Sequence, residues 1–194
     1  MTYVDALCLH LSRVPQHDLG RLDEQGLPSL PRLGDKTVPQ AVISVRVLIQ
    51  SMTDMYARLH FAAHLYSILA HMGIIRPWAL YLVGQIKDRS DVIGDILKKM
   101  RRNNVFGAFT KATENVYCSC LLVADDGGGH DYKPHLLATW RTKPFIAVHE
   151  SPEGQSPSLA SALRQVFGPH LESFRCGVYQ DLMSAHAVVA RLFP

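Results

Sequence analysis

Three histidines at helical spacing are the first side chains in this sequence that could perform chemistry. At about 100° per residue, His60, His64 and His71 fall within about 40° of one another on a helix. Neutral imidazoles at positions i and i+4, as at His60 and His64, can share one zinc ion. Without a metal, the three rings would form a polar strip that faces solvent or a partner and gains charge near pH 6. Both interpretations follow from the same spacing.

A second group of potential ligands lies in a glycine-rich loop. Asp125, Asp126, His130 and Asp131 flank the run Gly127 to Gly129. Two carboxylates and an imidazole could hold a divalent cation, and the glycines would let the backbone approach it closely. The residue order matches neither an EF-hand nor a phosphate-binding P-loop. A polar hairpin turn is the alternative interpretation.

Positive charge gathers in the middle of the chain. The stretch from Lys87 to Lys111 contains seven Lys or Arg and three Asp, a local balance of +4. Such a cluster attracts phosphates or lipid head groups, although cations at a helix C-terminus also complement the helix dipole. The predicted anion-binding patch comprises Arg89, Lys98, Lys99, Arg101, Arg102 and Lys111.

The cysteines and the absence of known catalytic motifs limit the functions that this sequence can be expected to have. Cys118 and Cys120 would share one face of a strand, and no second pair stands at zinc spacing, so we expect them to pack in the core. Four scattered cysteines do not make a disulfide scaffold, which favours a reducing, cytoplasmic compartment. Nucleotide-binding glycine, nucleophile-elbow and H-E-x-x-H motifs are absent from the sequence. We therefore predict no catalytic residue, no cofactor and no small-molecule substrate.

The helix that carries the histidines has the clearest period in the chain. It is predicted from Asp54 to Met72, with Thr53 as its N-cap and Gly73 just beyond its C-terminus. Its apolar stripe recurs at steps of three and four residues and comprises Met55, Leu59, Ala62, Tyr66 and Leu69.

The chain before this helix divides into two parts. Residues 1–40 are predicted to be an N-terminal arm, in which a short helix over Met1 to Val14 precedes an extended segment from Pro15 to Pro39. Ala41 to Gln50 is predicted to be a strand, because apolar side chains alternate at Ile43, Val45, Val47 and Ile49.

Residues 41–194 are predicted to form a single α+β domain, in which helices pack on an antiparallel sheet. Trp78 to Ile86 is either a strand or a buried helix, and Ser173 to Val178 stays open. The remaining predictions are a helix that begins at Ser90, strands over Val116–Ala124, Leu136–Arg141 and Phe145–His149, a helix that begins at Ser156, and a helix over Tyr179–Phe193.

One family resemblance follows from these segments. The strand Val45 to Ser51, a helix of about five turns and Arg76-Pro77-Trp78 before an apolar segment together resemble the core of rhabdovirus matrix proteins of the vesicular stomatitis type. The strand Val116–Ala124, followed by two aspartates, is similar to a late strand of that family. The lysine-rich N-terminal arm and the Pro-Pro-x-Tyr motif of those proteins are absent from this sequence. The resemblance implies an assembly protein that self-associates, binds a nucleoprotein and approaches an anionic membrane, in the virion and at the inner membrane surface.

The sequence therefore predicts a non-enzymatic structural or interaction protein with protein partners and an anionic partner, which is nucleoprotein, RNA or a membrane surface. Two alternatives stay open. One is a small metal-dependent hydrolase that uses the Asp/His loop or the His60/His64 pair. The other is a host-directed viral or effector binding module.

Overall fold

A six-stranded antiparallel sheet separates two layers of helices in the computed structural model of the protein. The structure describes residues 1–83, 90–100, 105–113, 115–124 and 131–194. The predicted α+β class, with helices packed on an antiparallel sheet, is confirmed.

The elements have the following bounds over the described residues. The helices are α1 (Tyr3–Leu11), α2 (Leu19–Asp23), α3 (Val38–Ser51), α4 (Met55–His71), α5 (Ser90–Met100), α6 (Pro157–Phe167) and α7 (Leu182–Leu192). The strands are β1 (Trp78–Leu82), β2 (Val105–Thr113), β3 (Val116–Ala124), β4 (Tyr132–Trp140), β5 (Phe145–His149) and β6 (Arg175–Tyr179). Short 3₁₀ helices span Gln16–Asp18 and Leu171–Phe174.

The sheet does not follow chain order throughout. Its strands run β2-β3-β4-β5-β1-β6, so β1 is inserted between two strands from the end of the chain. β1 pairs antiparallel with β5, where Trp78 lies opposite His149, and also with β6. β2 and β6 form the two edges of the sheet.

Each face of the sheet has its own core. On the first face, α1, α3, α4 and α7 pack over alternate strand residues that include Trp78, Cys120 and Trp140. On the second face, α5, α6 and the later 3₁₀ helix pack over the intervening residues, among them Leu121 and Val148. This alternation follows from the period of two along a strand.

The predicted strand over Ala41 to Gln50 is wrong, because this segment lies in helix α3. Thr37 caps the helix reciprocally with Gln40, a local signal that favours helix over strand. Buried residues then recur every four positions, at Ala41, Val45 and Ile49. The intervening Ile43 and Val47 are 62% and 58% exposed, which an alternating strand on a core would not allow. The segment on which the matrix-protein resemblance begins is therefore helical.

The extended segment predicted over Pro15 to Pro39 differs from the structure as well. It includes a 3₁₀ turn and α2, and Leu19, Leu22 and Leu33 are fully buried in the first core. Asp23 holds the returning chain, since its two carboxylate oxygens accept hydrogen bonds from the backbone N–H groups of Leu33 and Gly34. The segment is thus part of the folded core.

Most of the other predicted elements are confirmed. The α1 helix lies inside the predicted N-terminal helix, and the helices from Ser90 and Ser156 and the strands Val116–Ala124 and Phe145–His149 are present. The long helix α4 is confirmed, but its N-cap is Asp54, which accepts from the Tyr56 N–H at 3.0 Å, and Thr53 lies outside it. Trp78–Leu82 is a strand, and β2 is a strand that the sequence analysis did not assign.

Candidate functional site

Two described cations of the predicted anion-binding patch project from the end of α5. The helix buries Val92, Ile96 and Met100 in the second core, which leaves Lys98 and Lys99 exposed on its outer side. Lys98 lies 3.2 Å from Asp95, but this pair is 71% and 51% exposed, so water screens it. We call Lys98, Lys99 and the two arginines that follow them, Arg101 and Arg102, the α5 basic end.

Three members of the predicted patch, Arg89, Arg101 and Arg102, lie outside the described residues. Lys111 is described, and it stands apart from α5. It lies in β2 two residues after Phe109, which packs on the first face, whereas α5 covers the second. The Lys111 charge acts instead on His64 and His71 of α4.

The histidine strip lies along the edge strand β2. His64 stacks on Phe109 with ring centroids 3.7 Å apart, and the His60 ring meets the same phenylalanine edge-on at 5.3 Å. His71 Nε2 donates to the Lys111 carbonyl oxygen at 3.1 Å, because that oxygen can only accept. The strip is thus in contact with the sheet edge, which α4 covers.

Burial changes the titration expected of this strip. Burial, with smaller effects from Lys111 and His60, lowers the pKa of His64 to about 4. Burial also lowers the pKa of His71, against the opposing effect of its hydrogen bond to the Lys111 carbonyl. His64 is therefore expected to become charged near pH 4 and not near pH 6, and burial disfavours the charged form of His71 as well.

The His60/His64 pair has an edge-to-face geometry. The ring centroids are 6.5 Å apart and the planes are inclined at 66°, while the His64 ring is held flat against Phe109. Among the described residues, no group of three His, Cys, Asp or Glu side chains is placed to hold a metal ion.

Asp131 is the one described member of the Asp/His loop, since Asp125, Asp126 and His130 lie outside the described residues. Its Oδ1 accepts hydrogen bonds from the backbone N–H groups of Tyr132 at 2.9 Å and Tyr3 at 3.3 Å. Asp131 thereby joins the start of β4 to the first turn of α1 through hydrogen bonds to one of its two carboxylate oxygens.

The predicted core position of Cys118 and Cys120 is confirmed. Both side chains are fully buried on the first face, and both thiols are free. Burial raises the pKa of each thiol, so neither is a reactive thiolate near neutral pH.

Three further histidines, His135 and His149, which are buried, and His10, which is half-buried, were not predicted from the sequence. His10 of α1 and His149 of β5 meet on the first face with ring centroids 6.2 Å apart and planes at 76°. His135 of β4 is 4% exposed, and its Nε2 has no hydrogen-bond partner among the described residues. The signal for His149 was present in the sequence, because it continues the alternation of Phe145 and Ala147, both of which are buried.

Burial governs the titration of all three of these rings. It is the largest cause that lowers the pKa of His10, His135 and His149, each to about 4. Arg13 and Lys133 add smaller effects at His10 and His135, and the His149 charge acts on both. The rings are therefore neutral near pH 7.

No protein-family model and no curated protein matches this sequence. Within the part of the chain that the structure describes, every helix is too short or too polar to cross a bilayer.

Proposed function

We propose that the protein is a non-enzymatic binding protein that docks on the phosphates of a nucleic acid or nucleoprotein through the α5 basic end. The observation that carries this proposal is the division of α5 into two sides. Val92, Ile96 and Met100 are buried in the second core, so Lys98 and Lys99 lie on the exposed side of the helix. The chain continues into Arg101 and Arg102, which brings four cations within five positions.

The chemistry of α5 favours phosphates over a lipid surface. A helix that binds a membrane surface inserts an apolar face below the head groups. The apolar face of α5 is already buried against the sheet, so a lipid surface would offer charge attraction alone. A nucleic acid presents a denser line of negative charge, and counterion release makes its binding favourable without an apolar contact.

The described geometry also supports a binding role over the hydrolase alternative. Asp131 is engaged with two backbone N–H groups, and His64 is stacked on Phe109. These contacts hold the two side chains in structural positions within the fold.

The proposal includes self-association, which the outer side of α3 supports. Ile43 and Val47 lie one helical turn apart and are 62% and 58% exposed. Together they give this side of α3 an exposed apolar surface, which a second copy of the chain would bury on association. Light scattering across a concentration series tests it: the wild type should exceed the mass of one 21.6 kDa chain, and Val47→Asp should return it to that mass. A wild type of monomeric mass throughout would contradict self-association and leave the α5 proposal standing.

The nucleic-acid proposal is tested by charge reversal with a control of equal net charge. The test variant changes Lys98, Lys99, Arg101 and Arg102 to Glu. The control changes four exposed arginines on other elements to Glu, namely Arg21, Arg32, Arg164 and Arg191. Binding of a fluorescent 30-base-pair duplex is followed by anisotropy over a range of salt concentrations.

We expect the wild-type affinity to fall with salt at a logarithmic slope of about −3 to −4, as four phosphate contacts predict. The test variant should bind at least about 100-fold more weakly at low salt, and the control should keep most of its affinity. Equal losses in the two variants would show that net charge alone is responsible, and would refute a defined site. Binding of anionic vesicles without binding of duplex or RNA would also refute it.

A further inference from the structure

The outer side of α3 carries four exposed side chains in one stripe. Gln40, Ile43, Val47 and Gln50 follow one another at steps of three, four and three residues, and all four are exposed. At about 100° per residue they fall within about 80° of one another around the helix. The buried residues of α3 lie on the opposite side. We call these four residues the α3 outer stripe, and it faces away from the core.

The α3 outer stripe has the same pattern when it is read in either direction. Val45 lies at its midpoint, with Ile43 and Val47 two residues to either side and Gln40 and Gln50 five residues to either side. Rotation by 180° about an axis at the level of Val45 therefore brings apolar residues onto apolar ones and glutamine onto glutamine. A surface with this pattern is complementary to a second copy of itself, as the contact of a two-fold symmetric dimer requires.

The charge of this surface also fits a second copy. Arg46 is the only charged residue from Thr37 to Ser51. It lies beside the stripe, and its guanidinium donates to the Asp5 carboxylate of α1 at 2.7 Å. Two such surfaces can therefore meet without an unbalanced charge on either of them. A nucleic acid would gain no charge attraction from the stripe, which separates this surface from the α5 basic end.

The two ends of the stripe favour an antiparallel contact. The side-chain amide of glutamine both donates and accepts hydrogen bonds. Gln40 Oε1 accepts from the Thr37 N–H at 3.0 Å, and its Nε2 group can still donate to a carbonyl oxygen across the contact. Antiparallel helices also place the positive N-terminal end of each beside the negative C-terminal end of the other, whereas parallel helices place like ends together.

We propose that two copies of the chain form a closed dimer by antiparallel pairing of their α3 outer stripes. Ile43 packs against the partner's Val47, and Gln40 donates to the partner's Gln50, so that each contact occurs twice. This proposal rests on the self-association proposed above, and it specifies the surface, the direction and the number of copies. A two-fold contact is complete when two copies have met, so the assembly stops at the dimer.

Disulfide trapping tests the direction of pairing. The background is Cys176→Ser, which removes the exposed cysteine and leaves the three buried ones. Gln40→Cys and Gln50→Cys are prepared separately in this background, then mixed and oxidised with copper–phenanthroline. Ten residues of helix span about 15 Å, and a disulfide needs Cα atoms within about 7 Å of each other. Antiparallel pairing therefore links position 40 only to position 50, whereas parallel pairing links each position only to itself.

The matched control is a mixture of Gln40→Cys with Gln165→Cys. Gln165 is exposed on α6, which packs on the opposite face of the sheet, so this mixture measures linkage by random collision. One helix face is smaller than the roughly 800 Å² per partner that stable interfaces bury, so we expect a Kd of roughly 10–100 µM. The mixtures are therefore studied at several times that concentration, beside light scattering of the wild type.

We expect the 40/50 mixture to form covalent dimer at least about tenfold faster than either variant alone or the control mixture, because pairing raises the effective concentration of the two thiols. The wild type should reach the mass of two chains and no more. If Gln40→Cys does not fold, a mixture of Ile43→Cys with Val47→Cys replaces the first one, and Gln50→Cys alone still reports parallel pairing.

The other outcomes separate this proposal from the one on which it rests. Linkage of each variant to itself would overturn antiparallel pairing and leave self-association standing. A dimeric wild type without linkage above the control would move the contact off α3, and a mass beyond two chains would overturn the closed dimer. A wild type that stays monomeric at these concentrations would overturn both self-association and this dimer.

Discussion

Mild acid should destabilise this protein through the histidines that it buries in the neutral form. His135 and His149 are 4% and 8% exposed, and burial is the main cause that lowers the pKa of each from 6.5 to about 4. As the pH falls below 6.5, the unfolded chain binds protons at these positions before the folded protein does. The contribution of these groups to the free energy of unfolding is therefore constant above about pH 7 and decreases between pH 6.5 and 4. Below pH 4 it changes no further, because the rings are then protonated in both the folded and the unfolded state.

The magnitude follows from the two pKa values. At about 1.4 kcal/mol per pH unit, one such ring costs about 2 kcal/mol of stability by pH 5 and about 3 kcal/mol by pH 4. The charge of His149 acts on His135, so the two losses are coupled and their sum is approximate. A loss of this size is a large part of the roughly 5–15 kcal/mol that stabilises a typical domain.

Urea unfolding followed by circular dichroism at pH 7.5, 6.5, 5.5 and 5.0 measures this effect. His135→Leu removes one ring and its Nε2, which has no hydrogen-bond partner among the described residues. We expect this variant to lose about 2 kcal/mol less than the wild type over this range. His17→Gln, which changes an exposed histidine, should follow the wild type. A wild-type stability that is flat from pH 7.5 to 5.0, or an unchanged slope in His135→Leu, would refute the reasoning.

Two further predictions concern packing, and both are measured by urea unfolding at pH 7.5. A Cβ at Gly107 would stand 2.9 Å from the Leu59 Cβ, so Gly107→Ala should destabilise the protein by about 1–3 kcal/mol. Gly94→Ala, in open space on α5, should instead stabilise it by about 0.5–1 kcal/mol, and a loss of stability there would contradict the packing described for α5. Val45→Asp places a charge at a fully buried position and should cost roughly 3 kcal/mol or more. Val47→Asp, at a position 58% exposed, should change stability by less than about 1 kcal/mol when both proteins are measured at a concentration at which the wild type is monomeric, because self-association then contributes nothing. Equal effects at the two valines would be the result of a strand and would contradict helix α3.

Local signals in the sequence were sufficient to predict the type and the bounds or starting residue of several helices and strands. Strand β3 has a run of β-branched, aromatic and apolar residues, and its predicted bounds, Val116–Ala124, are those of the structure. Helix α6 begins where its cap predicts, because the Ser156 Oγ accepts from the Leu159 N–H and Pro157 suits the first turn. In these segments, the local conformation that the sequence favours is the same as the one that packing in the core requires.

Segment 41–50 shows where local signals conflict. Its β-branched residues fit a period of two and a period of four at once, so the apolar pattern alone could not choose between strand and helix. Two features favour the helix. Thr37 and Gln40 cap it reciprocally, and Val45 and Ile49 both pack into the first core. The strand prediction failed because it weighed alternation without the cap.

Long-range packing decided the environment of the candidate site residues. Sequence spacing placed His60, His64 and His71 on one face of α4, but the partner of that face, β2, lies about 40 residues later in the chain. His10 and His149 are 139 positions apart and meet because β5 pairs with β4, the strand that α1 contacts. The pKa of a buried ring depends on what surrounds it in space. The sequence alone therefore determined which residues share a face of a helix or strand. The tertiary structure determined which of these faces are buried, because burial depends on contacts between residues that are distant in sequence.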